Sequence, residues 1–438
     1  MMRREKQFSG GLLCDDMGLG KTEQILGLIL NTPLLRTLLL CPKALIPQWR
    51  KDFLRCGFAV HTVEKGAWKR VNTASTARFV YLTNYDTLNS KPHLFRSFNR
   101  VCLDEAQQGL CKKGKLYERV SSIKRSATWA ISATPLINRE EDVCALLELV
   151  GYSKKTLGEL PLEHFASEAI LHRSMAELRE ALPNLPPPAK ETVVSLDFAS
   201  EEEKEFYQGI QGKLFKRWKS LEQDAAPLKF QLFMKLRQLS IHPQVYISAR
   251  KREPFGYSRD SWTGTSAKFA AVEKITGQQK TPTRWIIFCQ FKDEMSILED
   301  ELMEKHTVLQ YHGDLSEEQK AHVLSNTENE LDGKHLILLV NIKSGGVGLN
   351  LQHFTHIIFM SPWWTSALMR QSIGRAVRIG QKEEVQVYHL VLKEEETLNI
   401  DALMREKIMI KEELLADLLK CASRGKIVSD DREENDRA

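Results

Sequence analysis

The chain has 438 residues, a length that calls for two or three domains with sizeable cores. With 62 Lys and Arg against 57 Asp and Glu its formal charge is only +5, so any nucleic-acid surface has to come from local clustering and not from a globally basic chain. Its cysteines form no CxxC pair, no secretory leader is expected, and no run reaches the roughly 18 apolar residues of a membrane span. These features argue against a zinc module and for a soluble, intracellular protein in a reducing compartment, with the nucleus open to it if the source is eukaryotic or viral.

From Gly11 to about Val150 short apolar runs alternate with helical or polar stretches. TLLLCP, FVYLTN, VCLDEA and WAISATP read as buried parallel strands that end in polar loops. From about Pro161 to Tyr246 the texture changes to long, charge-rich helical patterns. The proline group in LPNLPPPAKE stops a helix and forces an extended segment before VVSLDF, and EEEKEFYQGIQGKLFKRWKSLEQ reads as one long helix. KREPFGYSRDSWTGTS, rich in turn formers, reads as an exposed loop. Strand-like runs then resume with RWIIFCQF, HTVLQYHG, HLILLVN, HIIFMSP and VQVYHLV, separated by helical patterns such as KDEMSILEDELMEK. The stretch from about Glu395 to Ser423 reads as helix, and the polar run after Val428 as a frayed or disordered tail. The expected fold is α/β, with a first lobe over residues 1–158, a helical inter-lobe region over 159–262, a second lobe over 263–400, and a C-terminal helix and polar tail over 401–438.

The segment DMGLGKT has what phosphate binding requires. Gly18 and Gly20 let the backbone turn its N–H groups toward a β-phosphate, Lys21 brings a point charge to the β/γ-phosphates, and Thr22 in the first turn of the following helix can ligate Mg²⁺. Asp15 departs from the general GxxxxGKT pattern. Asp104 and Glu105 follow the apolar run VCL, as carboxylates at the end of a core strand do; Asp104 suits Mg²⁺, and Glu105 suits orienting or deprotonating the attacking water. Ser132 and Thr134, in SATP after the run WAI, offer hydroxyls beside the sheet that can sense a γ-phosphate, or else cap a turn. Arg375 and Arg378, three apart in QSIGRAVRIGQ, occupy nearly one face if that segment is helical. They suit the role of arginine fingers that reach a γ-phosphate across a cleft.

Taken in order, these segments resemble the chromatin-remodeller-type ATPases of helicase superfamily two, the SWI/SNF-like branch. DDMGLGKT is similar to motif I of that family, LLLCPKALIPQW to motif Ia, LTNYD to Ib, DEAQ to II and SATPLINREEDVCALLELVG to III. LHRSMAELREALPNLPPPAKE is similar to its inter-lobe segment and LRQLSIHP to a later helix; WIIFCQF, VNIKSGGVGLNLQ and SPWWTSALMRQSIGRAVRIGQ are similar to motifs IV, V and VI. The resemblance spans about residues 10 to 415. It implies two tandem RecA-like lobes with ATP and Mg²⁺ between them, a DNA duplex across their outer cleft, and tracking along that duplex without obligatory strand separation.

On this mapping Asp16, Gly18, Gly20, Lys21, Thr22 and Gln107 contact the nucleotide, Thr22 and Asp104 hold the metal, and Glu105, Arg375 and Arg378 are catalytic. Lys43, Thr134, Ser344, Gly345, Gly346 and Asn350 couple turnover to DNA, while Trp363 and Trp364 pack and position the motif VI region. DEAQ stands where DEAH is more usual, so Gln107 can hydrogen-bond but cannot become cationic. Motif I arrives almost at the start, where relatives have an upstream segment with an adenine-reading glutamine. Either base selectivity is loose, or part of the first lobe is missing or supplied by a partner. The compact form is reminiscent of DNA-repair translocases and of versions in large DNA viruses. A strand-separating DNA or RNA helicase, or a nucleotide-binding scaffold with little turnover, are the other functions these motifs allow.

Overall fold

The computed structural model describes the chain except residues 75, 77, 108, 111–113, 136–139, 180, 183–184, 223–224, 255, 346–348, 394–398 and 436–438, and except the side chains of 344–345 and 423–435. The chain folds as two compact units, one comprising Met1–Leu185 with Ile410–Ala438 and the other Pro186–Met409. Each is an α/β lobe built on its own sheet, and the pair are RecA-like lobes.

The sheet of the first unit contains β1 (Gly10–Leu13), β2 (Arg36–Cys41), β3 (Ala59–Glu64), β4 (Ala67–Arg70), β5 (Phe79–Asn84), β6 (Arg100–Asp104), β7 (Ala127–Ile131) and β8 (Ile170–Leu171). Their order is β4-β3-β5-β2-β6-β7-β1-β8. All the pairings are parallel except that of β3 with β4. The expected strands are β2, β5, β6 and β7. β2 and β7 are almost wholly buried along their length, which is why they read as continuous apolar runs and do not alternate. The β3–β4 hairpin turns at Lys65 and Gly66, both at positive φ (47° and 86°), the geometry that matches the twist of a tight hairpin.

The sheet of the second unit contains β9 (Lys190–Leu196), β10 (Arg284–Cys289), β11 (Thr307–Tyr311), β12 (Leu336–Asn341), β13 (His356–Phe359) and β14 (Gln386–Leu392), all parallel, in the order β11-β12-β10-β13-β14-β9. β9 is the extended segment that the proline group forces. Between β9 and β10 the described residues form four helices, Glu201–Ser220, Ala226–Ile241, Pro243–Lys251 and Ala267–Gly277. The first begins on Ser200, whose side chain accepts the Glu203 N–H, with three glutamates in its first turn, the capping and charge that favour a helix start. The C-terminal helix, Ile400–Asn435, runs through the polar stretch expected to fray; that stretch contains neither proline nor glycine after Gly425 to break it. Within the first unit its Leu415, Leu418, Leu419 and Ala422 join the core that covers β2 and β6. Among the described residues no helix is long and apolar enough to cross a membrane.

Candidate nucleotide site and the arginine segment

Because β6, β7 and β1 are neighbours and parallel, the loops after their carboxyl ends leave the sheet side by side. Those loops carry Asp104–Gln107, Ser132–Thr134 and Cys14–Lys21. Backbone hydrogen bonds stitch them together: Ala106 N–H donates to Ile131 O at 3.1 Å, and Ser132 N–H to Leu13 O at 3.0 Å. Three motifs far apart in sequence therefore form one polar rim at the carboxyl ends of adjacent parallel strands, the side of the sheet on which open α/β folds bind ligands.

Gly18 and Gly20 stand at φ 83° and 71°, a region L side chains rarely enter. Gly20 is also the cap before the helix Lys21–Asn31. The Lys21 ammonium lies inside the turn, donating to Asp15 O at 2.7 Å and Asp16 O at 3.1 Å. Burial lowers its pKa, opposed by the carboxylates of Glu105 and Asp15. Thr22 follows in the first helical turn. Asp15, wholly buried, anchors the loop from below: it pairs with Arg173, which also donates through Nε at 3.0 Å, and it accepts from Gln24 Nε2 at 2.8 Å. The Asp16 carboxylate accepts the Met175 N–H at 2.8 Å, so this residue ties the loop to the chain after β8.

At the end of β6, Asp104 accepts from Trp49 Nε1 at 2.7 Å and from Glu105 N–H at 3.0 Å, while its carbonyl accepts from the Tyr85 hydroxyl at 2.8 Å. Burial, and next the neighbouring Glu105, raise the Asp104 carboxyl above its ordinary range. Glu105 has φ 50°, a strained setting for a residue with a side chain, costing about 1–3 kcal/mol. Gln107 Nε2 donates to Glu105 Oε2 at 2.6 Å, so the residue that replaces a histidine holds the second carboxylate. Gln107 Oε1, Thr134 Oγ1 and Asp15 Oδ1 are buried with no hydrogen-bond partner among the described residues. Lys43 is exposed in the short helix Lys43–Leu45 after β2.

In the second unit the arginine pair departs from the helical expectation. The helix Ser366–Ile373 stops at Gly374, a residue of poor helix propensity, and Arg375 and Arg378 sit in the turns that follow. This segment is tied at both ends: Leu351 N–H donates to Arg375 O at 3.1 Å, and Gln381 Nε2 donates to Gln352 O at 2.7 Å and Phe354 O at 3.2 Å. Ser344 and Gly345 close the helix Ile342–Gly345 after β12, Asn350 is exposed, and Gly346 lies outside the described residues.

Sequence reasoning missed Trp49, Tyr85, Gln24 and Arg173. Gln24 lies just after the phosphate turn it braces, while Trp49, Tyr85 and Arg173 stand 55, 19 and 158 residues from the groups they bond, contacts that only the folded chain reveals.

Residues 1–159 match the SNF2-related domain and residues 267–380 the helicase conserved C-terminal domain, together more than half of the chain. The chain is 24% identical to a protein named "Probable global transactivator" of Orgyia pseudotsugata multicapsid polyhedrosis virus, over 91% of this chain and 85% of that protein. It is 26% identical to the mouse SWI/SNF-related matrix-associated actin-dependent regulator of chromatin subfamily A member 1, over 87% of this chain and 39% of that one. To an ATP-dependent helicase of Mycoplasma pneumoniae it is also 26% identical, over 92% of this chain and 40% of the relative. It thus spans most of the viral relative but about two fifths of the other two. Among solved structures it is similar to a Sulfolobus solfataricus SWI2/SNF2 ATPase core in complex with dsDNA, at 21% identity and a TM-score of 0.39, covering 95% of this chain and 94% of that one.

Proposed function

We propose that this chain, which belongs to the SNF2-related branch of the ATP-hydrolysing, helicase-like enzymes, couples ATP turnover to movement along double-stranded DNA. The observation that carries the reading is the convergence of the Lys21 turn, the Asp104–Glu105 pair and the Ser132–Thr134 loop on three adjacent strands.

The residues of that rim fit a nucleotide. The Lys21 turn offers N–H groups from Gly18 and Gly20 with a cation behind them. Gln107 Oε1 and Thr134 Oγ1 are buried polar atoms without hydrogen-bond partners among the described residues, and such atoms are costly unless a ligand or water satisfies them. Among the described residues no group of three or more metal-ligating side chains occurs. That suits Mg²⁺, which takes one or two protein oxygens and fills its remaining positions with phosphate and water. Thr22 and Asp104 would hold that Mg²⁺, which supplies neutralising charge at the phosphate oxygens.

Within this reading Glu105 orients the attacking water and takes its proton at a carboxylate oxygen, and Gln107 fixes which way that carboxylate points. Asp16 holds the phosphate turn in register. Arg375 and Arg378 supply the positive charge that stabilises phosphoryl transfer. Lys43, Thr134, Ser344, Gly345, Gly346 and Asn350 pass the nucleotide state to the DNA backbone. Affinity for DNA rests on phosphate contacts, is largely independent of sequence, and weakens with salt.

Triplex displacement from a blunt duplex is the test. ATP-dependent release of the third strand, without separation of a tailed duplex, is expected. Unwinding of the tailed duplex with no triplex release would make the chain a strand-separating helicase.

A further inference from the structure

Arg237 is 1% exposed on the inserted helix Ala226–Ile241, in the segment LRQLSIHP, to which no site role was assigned above. Its Nη2 donates to Pro362 O at 2.7 Å. Its guanidinium lies 5.1 Å from the ring centre of Trp363 and 5.3 Å from that of Trp364. The same helix face supplies Phe233 and Phe230, stacked on Trp364 with ring centres 4.5 and 5.6 Å away. Residues 230, 233 and 237 recur at helical spacing, so one rigid stripe grips one short segment.

That segment, Pro362 to Thr365, leads directly into the helix Ser366–Ile373, which delivers Arg375 and Arg378. The arginine turns are held at their far end by Gln352 and Gln381. At their origin the hold is Arg237. Burial lowers its pKa to about 10, opposed by Asp401 and Glu294, so it stays charged at neutral pH. Two of its nitrogens, Nε and Nη1, are buried without a hydrogen-bond partner among the described residues. A side chain kept only for packing would gain from being apolar, since buried charge is a poor source of stability. A planar fork that donates to a carbonyl while covering two indole rings is a task for which lysine and methionine lack the geometry.

We infer that Arg237 is a positioning residue for Arg375 and Arg378: through Pro362 and the two tryptophans it sets the start of the helix that carries the arginine turns. The inference rests on the catalytic role proposed above for those arginines.

The test is a double-mutant cycle on DNA-stimulated ATP hydrolysis by the full chain, using Arg237→Lys and Arg378→Lys. Arg237→Lys alone is expected to lower kcat about tenfold or more while KM for ATP stays within about twofold, the signature of an interaction made only in the transition state. In the Arg378→Lys background Arg237→Lys should cost much less than it does alone, only its effect through Arg375 remaining, because residues that act as a unit are not additive. Losses that multiply would overturn the inference and leave Arg237 a structural residue. Should Arg237→Lys fail to fold, Trp364→Leu loosens the same segment from its half-exposed side, with the same two outcomes. Wild-type turnover in Arg378→Lys alone would instead defeat the catalytic reading, and this inference with it. An additive cycle leaves that reading standing.

Discussion

Trp49 donates its indole N–H to Asp104 Oδ2 at 2.7 Å, so a helix that follows β2 fixes the carboxylate that ends β6. Trp49 is itself held by stacking on Phe53, ring centres 5.3 Å apart. The hydrogen bond favours ionised Asp104, against burial and Glu105, which raise its pKa. Trp49→Phe keeps the packing and removes the donor. Because a hydrogen bond to a charged group contributes about 1.5–3 kcal/mol, the Mg²⁺ concentration giving half-maximal turnover should rise about tenfold or more, and the acid limb of the pH–rate profile should move to higher pH. An unchanged Mg²⁺ dependence would remove Trp49 from the site.

Glu5, on the short helix Met2–Phe8, pairs with Arg100, whose side chain is completely buried, and accepts from Trp129 Nε1 at 2.9 Å. Arg100 also donates to Thr37 Oγ1 at 3.1 Å. Glu5→Ala leaves that guanidinium buried without its counter-ion and should destabilise the first unit by about 3–5 kcal/mol, seen as a lower urea midpoint. Pairing Glu5→Leu with Arg100→Met should recover most of the loss. A Glu5→Ala protein as stable as its parent would show that the opening helix contributes nothing to the lobe.

How much of this could be read beforehand follows from what a linear pattern encodes. Buried parallel strands are apolar on both faces, so β2, β6, β7, β10 and β12 announce themselves as runs. The Lys21 turn is equally visible, because Gly18, Gly20, Lys21 and Thr22 fall within five consecutive residues. β3 and β4 carry charged and half-exposed residues, and β8 is two residues long, too little for a period to register. Arg375 and Arg378, three apart, would share a face only in a helix, and Gly374 ends the helix one residue earlier. Contacts such as Trp49 to Asp104 or Arg237 to Pro362 depend on strand order and helix placement, which no local pattern states.

Glu294 is wholly buried, and burial raises its carboxyl to about 7, although the N–H groups of Phe291 and Gln290 and the charges of Lys268 and Arg237 oppose the rise. Since the folded pKa lies above the unfolded one, the associated stability is complete below about pH 4.5 and is lost as pH climbs through about 7. The full swing is about 3 kcal/mol. Asp104, raised in the same direction, adds to it in the nucleotide-free protein. The thermal midpoint should therefore fall between pH 5 and 8, and Glu294→Gln should flatten that slope. An equally steep slope in the variant would mean that Glu294 is ionised throughout.

Gln107 holds Glu105 through a 2.6 Å hydrogen bond. Gln107→Ala removes the hydrogen bond that Gln107 donates to the Glu105 carboxylate. Steady-state kinetics should show kcat reduced about tenfold, with KM for ATP little changed. A rise in KM at constant kcat would assign Gln107 to nucleotide binding instead.

On the function proposed, the Lys21 turn and the Asp104–Glu105 pair form a hydrolytic site driven by duplex DNA. Steady-state ATP hydrolysis by the purified chain, with and without blunt double-stranded DNA and beside Glu105→Gln, tests it most directly. Strong stimulation by the duplex is expected, abolished by the substitution while the variant stays folded. Turnover indifferent to DNA, or undiminished in Glu105→Gln, would contradict it.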